Sequence, residues 1–116
     1  MHETSIINSV ARTLEMEFGE ERLNSLERIF LKVGILSNIE PRLLMNAFEA
    51  FQQTYPTFSK VSLEIESTPL VIHCSSCDVD SEVQNYKFIC KSCGAPSKEV
   101  IQGEEMLIHK VEFNDD

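Results

Sequence analysis

Four cysteines, arranged as two C-x-x-C pairs with twelve residues between them, constrain this chain most. The first pair is Cys74 and Cys77, in CSSC, and the second is Cys90 and Cys93, in CKSC. Each C-x-x-C turn brings two sulfurs to one side, so two such turns can place four thiolates at the corners of a tetrahedron. Zinc accepts this arrangement with bonds of about 2.3 Å, and closed four-cysteine sites are structural. Gly94 permits the left-handed backbone that such a turn often needs, and the spacing predicts a structural zinc site.

Two other kinds of site use the same residue type. A single C-x-x-C can be a redox pair, and four cysteines can hold an iron–sulfur cluster. Two pairs at this spacing favour a bound metal ion, because the surrounding segment has little apolar mass of its own. Its apolar residues include Val83, Tyr86, Phe88 and Ile89. Residues 70–99 are therefore predicted to form a zinc-binding module that folds when it binds its metal.

The first predicted element of the remaining chain is a helix. Thr4 or Ser5 suits its start, and Gly19 suits its end. Apolar residues at steps of three and four form one stripe along it, the spacing of a helix that packs on a core. The stripe consists of Ile7, Val10, Ala11, Leu14 and Phe18.

A strand, a second helix and a second strand follow. Alternating apolar residues predict the strands, at 28–34 and 61–66. Pro41 suits the first position of the helix, with Glu40 at its cap or just before it, and Pro56 stops the helix. The buried stripe of this helix is predicted to be Leu44, Ala47, Phe48, Phe51 and Tyr55.

A strand, helix and strand within so short a stretch are typical of a right-handed crossover between parallel strands. The tail EEMLIHKVEF is the candidate third strand, although three consecutive apolar residues interrupt its alternation. The predicted fold class is α/β, with two helices packed on a small three-stranded mixed sheet and an inserted four-cysteine domain like a zinc ribbon. The α/β domain would comprise residues 1–69 plus 100–116, and the zinc-binding domain residues 70–99.

Charge and hydropathy exclude several classes of function. The net charge is −9, from 19 acidic and 10 basic residues, which argues against nucleic-acid binding and favours basic proteins or cations as partners. The start of the chain lacks the pattern of a signal peptide, and the longest later apolar run, Leu70–Ile72, is far too short to span a bilayer. We therefore expect a cytoplasmic protein, whose reduced cysteines serve metal or redox chemistry rather than disulfides.

No catalytic motif is recognisable. The sequence has no phosphate-binding G-x-x-x-x-G-K-[ST] loop, no H-E-x-x-H and no evident Ser/His/Asp set. All four cysteines are assigned to the zinc site, so none is spare as a nucleophile. The chain is not expected to be an enzyme.

The first three residues, Met-His-Glu, offer a second kind of metal site. The amine of Met1 and the amide nitrogen of His2 close a five-membered chelate ring on a metal, and that amide and the imidazole Nδ1 close a six-membered ring. Three nitrogens then occupy three corners of a square, and a group of Glu3, water or a distant residue takes the fourth. Square-planar nitrogen sites suit Ni(II) or Cu(II). The alternative is that His2 belongs to an ordinary chain terminus that binds no metal.

Taken together, these features resemble the HypA/HybF family of nickel metallochaperones. The resemblance runs over the whole chain in the same order: the Met-His-Glu start, a helix, KVGILSNIEP before a second helix, C-x-x-C…C-x-x-C-G and a closing strand. It implies a nickel-binding domain of two helices on a three-stranded sheet, together with a zinc domain. It also implies delivery of Ni(II) during maturation of [NiFe]-hydrogenase, and in some bacteria of urease.

The resemblance assigns roles to particular residues. His2 would be a nickel ligand, the Met1 amine its neighbour, and Glu3 a further ligand or a carboxylate that shapes the site. Glu40, in SNIEP, stands where some relatives have an acidic residue near the nickel. The structural zinc ligands would be Cys74, Cys77, Cys90 and Cys93.

The resemblance implies partners as well. A nickel-handling GTPase would work with the chain, and the hydrogenase large subunit or urease accessory proteins would be further partners. The chain would be a monomer or a homodimer. His73 and His109 lie outside the motif and are expected to be a solvated loop residue and an ordinary sheet residue. The alternative function is a zinc-ribbon scaffold that recruits proteins and binds no nickel.

Overall fold

A computed structural model describes residues 3–114 of the chain; Met1, His2, Asp115 and Asp116 lie outside the described residues. It contains two helices, one 3₁₀ turn and two three-stranded sheets. In chain order the elements are α1 (Glu3–Leu23), β1 (Leu26–Gly34), α2 (Pro41–Thr54), the 3₁₀ turn (Pro56–Phe58), β2 (Ser62–Thr68), β3 (Val71–Cys74), β4 (Val79–Glu82), β5 (Val100–Gln102) and β6 (Met106–Phe113). The predicted fold class is confirmed.

The first sheet has the strand order β2-β1-β6. β1 pairs in parallel with β2, as the strand–helix–strand pattern predicted, and Ile29 lies opposite Leu63. β6 runs antiparallel to β1 on its other side, with Val111 opposite Ile29. The sheet is therefore mixed, and the tail of the chain supplies its third strand.

A β-bulge explains the irregular pattern of β6. Phe30 lies opposite Lys110, but the next residue of β1, Leu31, lies opposite Ile108. His109 is the extra residue on β6, and its side chain is exposed. A bulge shifts the alternation by one residue, so the apolar residues before and after His109 still turn to the same face.

The helices cover one face of this sheet and form the core with it. The predicted stripe of α1 is buried from Ile7 to Leu14, whereas Phe18 is 40% exposed and packs edge-on against Phe113. Gly19, predicted as the end of the helix, has φ 80° and ψ 158° and interrupts α1 at a kink. Helical backbone resumes after it, and Leu23, 1% exposed, reaches the core.

The ends of α2 agree with the sequence prediction. Pro41 occupies the first turn, and the carboxylate of Glu40 accepts a hydrogen bond from the Arg42 N–H at 3.4 Å, which caps the helix. Leu44 and Phe48 are buried. The prediction that Tyr55 is buried is wrong: Tyr55 follows the last helical residue, is 50% exposed and stacks its ring on Phe51.

The second sheet has the order β4-β3-β5 and carries the cysteines. Its centre is Ile72, which is fully buried and lies opposite Ser81 on one side and Val100 on the other. β5 follows residue 99, so this sheet uses residues on both sides of the predicted boundary. The division into 1–69 plus 100–116 and 70–99 stays a prediction.

Two chain segments connect the sheets, one between β2 and β3 and the other between β5 and β6. A hydrogen bond joins the two segments: the Thr68 hydroxyl donates to the Glu105 carboxylate at 3.2 Å, and the same carboxylate accepts the Gly103 N–H at 2.8 Å. The loop after β1 also contacts the second segment, because the Leu36 N–H donates to the Gly103 carbonyl at 2.7 Å. The radius of gyration is 17.6 Å, against about 13 Å for a compact chain of this length, so the two sheets form an elongated body. Within residues 3–114 no helix is long and apolar enough to cross a membrane.

Candidate metal centre

The fold brings the four cysteine sulfurs together. Cys74 ends β3, Cys77 lies in the turn before β4, and the second pair lies in the loop between β4 and β5. All four sulfurs lie within 4.8 Å of one another, with Sγ–Sγ distances of 3.7 Å for Cys74 and Cys93, 3.4 Å for Cys77 and Cys90, and 3.8 Å for Cys77 and Cys93. A tetrahedral ion with bonds of about 2.3 Å separates its sulfur ligands by about 3.8 Å. The cluster therefore fits one ion the size of zinc.

The two C-x-x-C turns have the same backbone form. The Asp78 N–H donates to the Cys74 carbonyl at 2.8 Å, and the Gly94 N–H donates to the Cys90 carbonyl at 2.9 Å. Gly94 has φ 74°, as its position after the cysteine predicted. Asp78 takes the equivalent place in the first turn with φ 55°, a conformation that Asp tolerates better than most residues.

Backbone amides of these turns stabilise thiolates. The Cys77 N–H lowers the pKa of Cys74, and the Cys93 N–H, with the Cys77 thiol, lowers the pKa of Cys90 to about 6. The neighbouring sulfurs of Cys90 and Cys74 raise the pKa of Cys77 to about 12. Four negative sulfurs this close therefore need a cation, and a metal that binds here displaces protons.

His73 does not join the sulfur cluster. It lies on β3 rather than in a solvated loop, because its backbone belongs to the sheet that ends at Cys74. Its Nδ1 lies 2.7 Å from Asp80 and its Nε2 3.2 Å from Asp78. The hydrogen bond to Asp80, with further carboxylates nearby, raises the pKa of His73. The imidazole joins the first cysteine turn to β4.

Two serines near the cluster had no recognisable signal in the sequence. Ser81, on β4, is 5% exposed, and its Oγ accepts the N–H of Lys91 at 3.2 Å. Since Lys91 follows Cys90, this bond ties the second cysteine turn to the hairpin that carries the first. Ser97 donates its hydroxyl to the His73 carbonyl at 2.5 Å. Short strands without apolar alternation give no sequence pattern from which such contacts can be predicted.

The residues predicted to bind nickel are only partly described. Met1 and His2 lie outside the described residues. Glu3 is the first residue of α1 and is partly exposed. Glu40 has a structural role as the cap of α2. Their role in nickel binding stays a prediction.

Comparison with known proteins identifies relatives over the whole chain. A family described as hydrogenase/urease nickel incorporation, metallochaperone, hypA matches residues 1–113. The chain is 33% identical to the hydrogenase maturation factor HypA of Shewanella sp. (strain MR-7), over 97% of this chain and 95% of the relative. It is 32% identical to the factor of the same name from Aquifex aeolicus (strain VF5), over 100% of both chains.

Solved structures share the fold. The solution structure of the Ni metallochaperone HypA from Helicobacter pylori superposes with a TM-score of 0.66 at 23% identity, covering 97% of each chain. A second solution structure of a HypA protein gives a TM-score of 0.75 at 22% identity, covering 100% of this chain and 98% of the other. The predicted resemblance is confirmed, and the chain belongs to the HypA family of hydrogenase and urease nickel-incorporation metallochaperones.

Proposed function

We propose that this chain is a nickel carrier without catalytic activity, which binds Ni(II) through Met1, His2 and Glu3 and delivers it during maturation of [NiFe]-hydrogenase, with urease as a second recipient. The observation that carries this proposal is the family match, which includes the Met-His-Glu start and extends to residue 113. The open coordination edge of such a site suits a carrier, because a fully enclosed ion would be released slowly.

The start of α1 supports amide coordination at the leading residues. The first four N–H groups of a helix have no partner within the helix, and α1 begins at Glu3. Ni(II) can therefore displace the proton of the Glu3 amide nitrogen without breaking a hydrogen bond of the described helix. The Glu3 carboxylate belongs to the same residue and suits the remaining ligand position.

The proposed ion of the cysteine cluster is structural Zn(II). Sulfur distances of 3.4–3.8 Å suit ligands of one tetrahedral ion. An iron–sulfur cluster would place several iron and sulfide atoms among the cysteines and would need wider spacing. When bound, the zinc would neutralise the thiolates and hold the two cysteine turns together.

The proposed partners follow from the carrier role. The chain has no phosphate-binding loop, so nucleotide hydrolysis would come from a nickel-handling GTPase. The hydrogenase large subunit or urease accessory proteins would receive the ion, in the cytoplasm, from a monomer or homodimer. The alternative is a zinc-ribbon scaffold, which would bind one metal per chain and be indifferent to changes at His2.

Substituting His2→Ala is expected to weaken Ni(II) binding by about 100-fold or more, because one ligand and one chelate ring are lost. Calorimetric titration of protein with an unmodified Met1 amine measures this. The affinity of the wild type is expected to fall as the pH falls, since protons compete for the imidazole and the amine. His109→Ala is the matched control, because His109 is exposed on β6. Equal affinities of the wild type and the His2 variant would refute nickel binding at this site.

Substituting Ser81→Ala is expected to speed the loss of zinc to a chelator about five-fold, because one hydrogen bond that positions the second cysteine turn contributes about 1 kcal/mol. The release rate can be followed with a coloured zinc chelator in excess. Ser92→Ala is the control, since Ser92 lies in the same turn with an exposed side chain. Identical release from both variants would show that the Ser81 hydroxyl does not position the ligands.

A further inference from the structure

The loop between β4 and β5 contains a two-residue hairpin turn with an unusual residue. Gln84 and Lys87 pair across it, and the Lys87 N–H donates to the Gln84 carbonyl at 3.0 Å. The residues between them, Asn85 and Tyr86, have φ of 53° and 59°. This type of turn favours Asn and Gly, whereas a bulky side chain at positive φ is a true outlier. Tyr86 therefore stands where the backbone disfavours it.

Packing within the chain does not account for Tyr86. Its side chain is 69% exposed, so its ring gains little burial in return for the backbone strain. Ile89, two residues beyond the turn, is 47% exposed. Strained residues concentrate at functional sites, and exposed aromatic residues are enriched among the anchors of protein interfaces. The pair suits a contact with another molecule.

The charge around Tyr86 is opposite to that of the whole chain. Residues 83–98 contain three lysines and no acidic residue, in a chain with 19 acidic and 10 basic residues. Lys87 and Lys91 are exposed, and neither forms an ion pair within the part of the chain that the structure describes. The two lysines therefore present free positive charge.

These side chains border a concave surface. A depression of about 450 Å³ is lined by Lys87, Ile89, Cys90 and Lys91 among others, and Glu82 is the single acidic residue of its lining. Its lining thus combines an apolar side chain with two cations beside the second cysteine turn. Tyr86 is not a lining residue but stands between two that are, Asn85 and Lys87. We call the surface formed by Tyr86, Lys87, Ile89 and Lys91 the ribbon patch.

We propose that the ribbon patch docks an acidic, partly apolar segment of a partner protein, with Tyr86 as the anchor. The net charge of −9 repels a nucleic acid and a second copy of this chain at long range, whereas a short acidic segment can approach the two lysines within a Debye length. The partner would lie against the turn that holds Cys90. The patch shares no residue with the proposed nickel ligands.

A titration of the full-length, zinc-loaded protein tests the proposal. The probe is a capped synthetic peptide of alternating glutamate and leucine, and the readout is the amide NMR spectrum. Saturable shifts are expected in residues 84–94, with an affinity that falls as salt is added. The same peptide with lysine in place of glutamate is expected not to bind. Shifts confined to other residues, no shifts, or equal binding of the lysine peptide would each overturn the proposal.

Variants separate recognition from folding. Lys87→Gln combined with Lys91→Gln is expected to weaken peptide binding at least about ten-fold. The control is Lys60→Gln, because Lys60 is an exposed lysine just before β2 in the first sheet, and this change is expected to leave binding unchanged. Tyr86→Gly relieves the strained turn, so its unfolding temperature is expected to be equal or higher while its peptide affinity falls. If Tyr86→Gly binds the peptide with unchanged affinity, Tyr86 is not the anchor of the contact. Sedimentation tests the remaining alternative, self-association. If the wild type is a dimer and the two lysine substitutions dissociate it, the patch binds a second copy of the chain, and the proposal of an acidic partner is refuted.

Discussion

Removing the metal from the cysteine cluster is expected to unfold the second sheet and leave the first sheet folded. Apart from the cysteines, the only buried apolar residues of residues 70–102 are Leu70 and Ile72, whereas the core around the first sheet contains fifteen buried apolar side chains. A core so small cannot offset the conformational entropy of more than thirty residues. Metal binding to four thiolates supplies about 10 kcal/mol or more, which is the missing stabilisation.

The amide NMR spectrum before and after treatment with a strong chelator measures this effect. We expect the resonances of β3, β4 and β5 to collapse to random-coil positions, while those of β1, β2 and β6 keep their dispersion. Cys90→Ser is expected to produce the same spectrum without a chelator, because Cys90 is 1% exposed and its loss removes one of the four sulfur ligands. A fully dispersed spectrum after complete removal of the metal would contradict the prediction. Loss of both sheets would show that the junction couples them into one folding unit.

Local patterns in the sequence predicted the two helices, β1, β2 and the cysteine cluster, because their causes are local, whereas the short strands β3, β4 and β5 were not predicted. Three- and four-residue spacing identified both helices, and alternation identified β1 and β2. Pro41 and Glu40 marked the start of α2 within one residue. The cysteine spacing predicted that four sulfurs would meet, since each C-x-x-C turn is closed by its own backbone hydrogen bond.

Contacts between distant segments could not be predicted in the same way. The bulge at His109 depends on the register between β1 and β6, which are far apart in the sequence. The bond from the Lys91 N–H to Ser81 depends on how the second cysteine turn folds back on β4. The helix continues past Gly19 to the buried Leu23, and one apolar residue after a glycine carries no periodic signal. Strand register and tertiary burial determine these features, and neither can be predicted from a short stretch of sequence.

The junction between the sheets is the least predictable part of the fold, and it leads to the second large expected effect. The sequence predicted that a strand ends at Gly34, a position that many residue types could occupy. In the structure, a Cβ atom at Gly34 would lie 2.2 Å from the carbonyl oxygen of Gly103 and 2.8 Å from the backbone nitrogen of Glu104. Gly34 is therefore required for space, because the chain returning from the second sheet passes directly against it.

Substituting Gly34→Ala is expected to lower the free energy of unfolding by about 3–5 kcal/mol, since all the atoms it would meet belong to the backbone and cannot rotate away. The segment that includes Gly103 would have to shift, and the shift would break the hydrogen bonds that the Gly34 and Leu36 N–H groups donate across the junction, both 2.7 Å long. Urea denaturation of the metal-loaded protein measures the change as a lower transition midpoint.

Gly94→Ala separates this steric effect from the general cost of replacing a glycine. A Cβ at Gly94 meets nothing within 4 Å, but its φ of 74° disfavours alanine, so the expected loss is about 1 kcal/mol. A Gly34→Ala variant no less stable than Gly94→Ala would show that the junction yields easily, and the two sheets would then be joined by a flexible connection. A loss several times larger would show that Gly34 and Gly103 form a tight backbone contact that fixes one sheet against the other. The first sheet, together with helix α1 that begins at Glu3, would then hold a defined orientation toward the second sheet and its cysteine cluster.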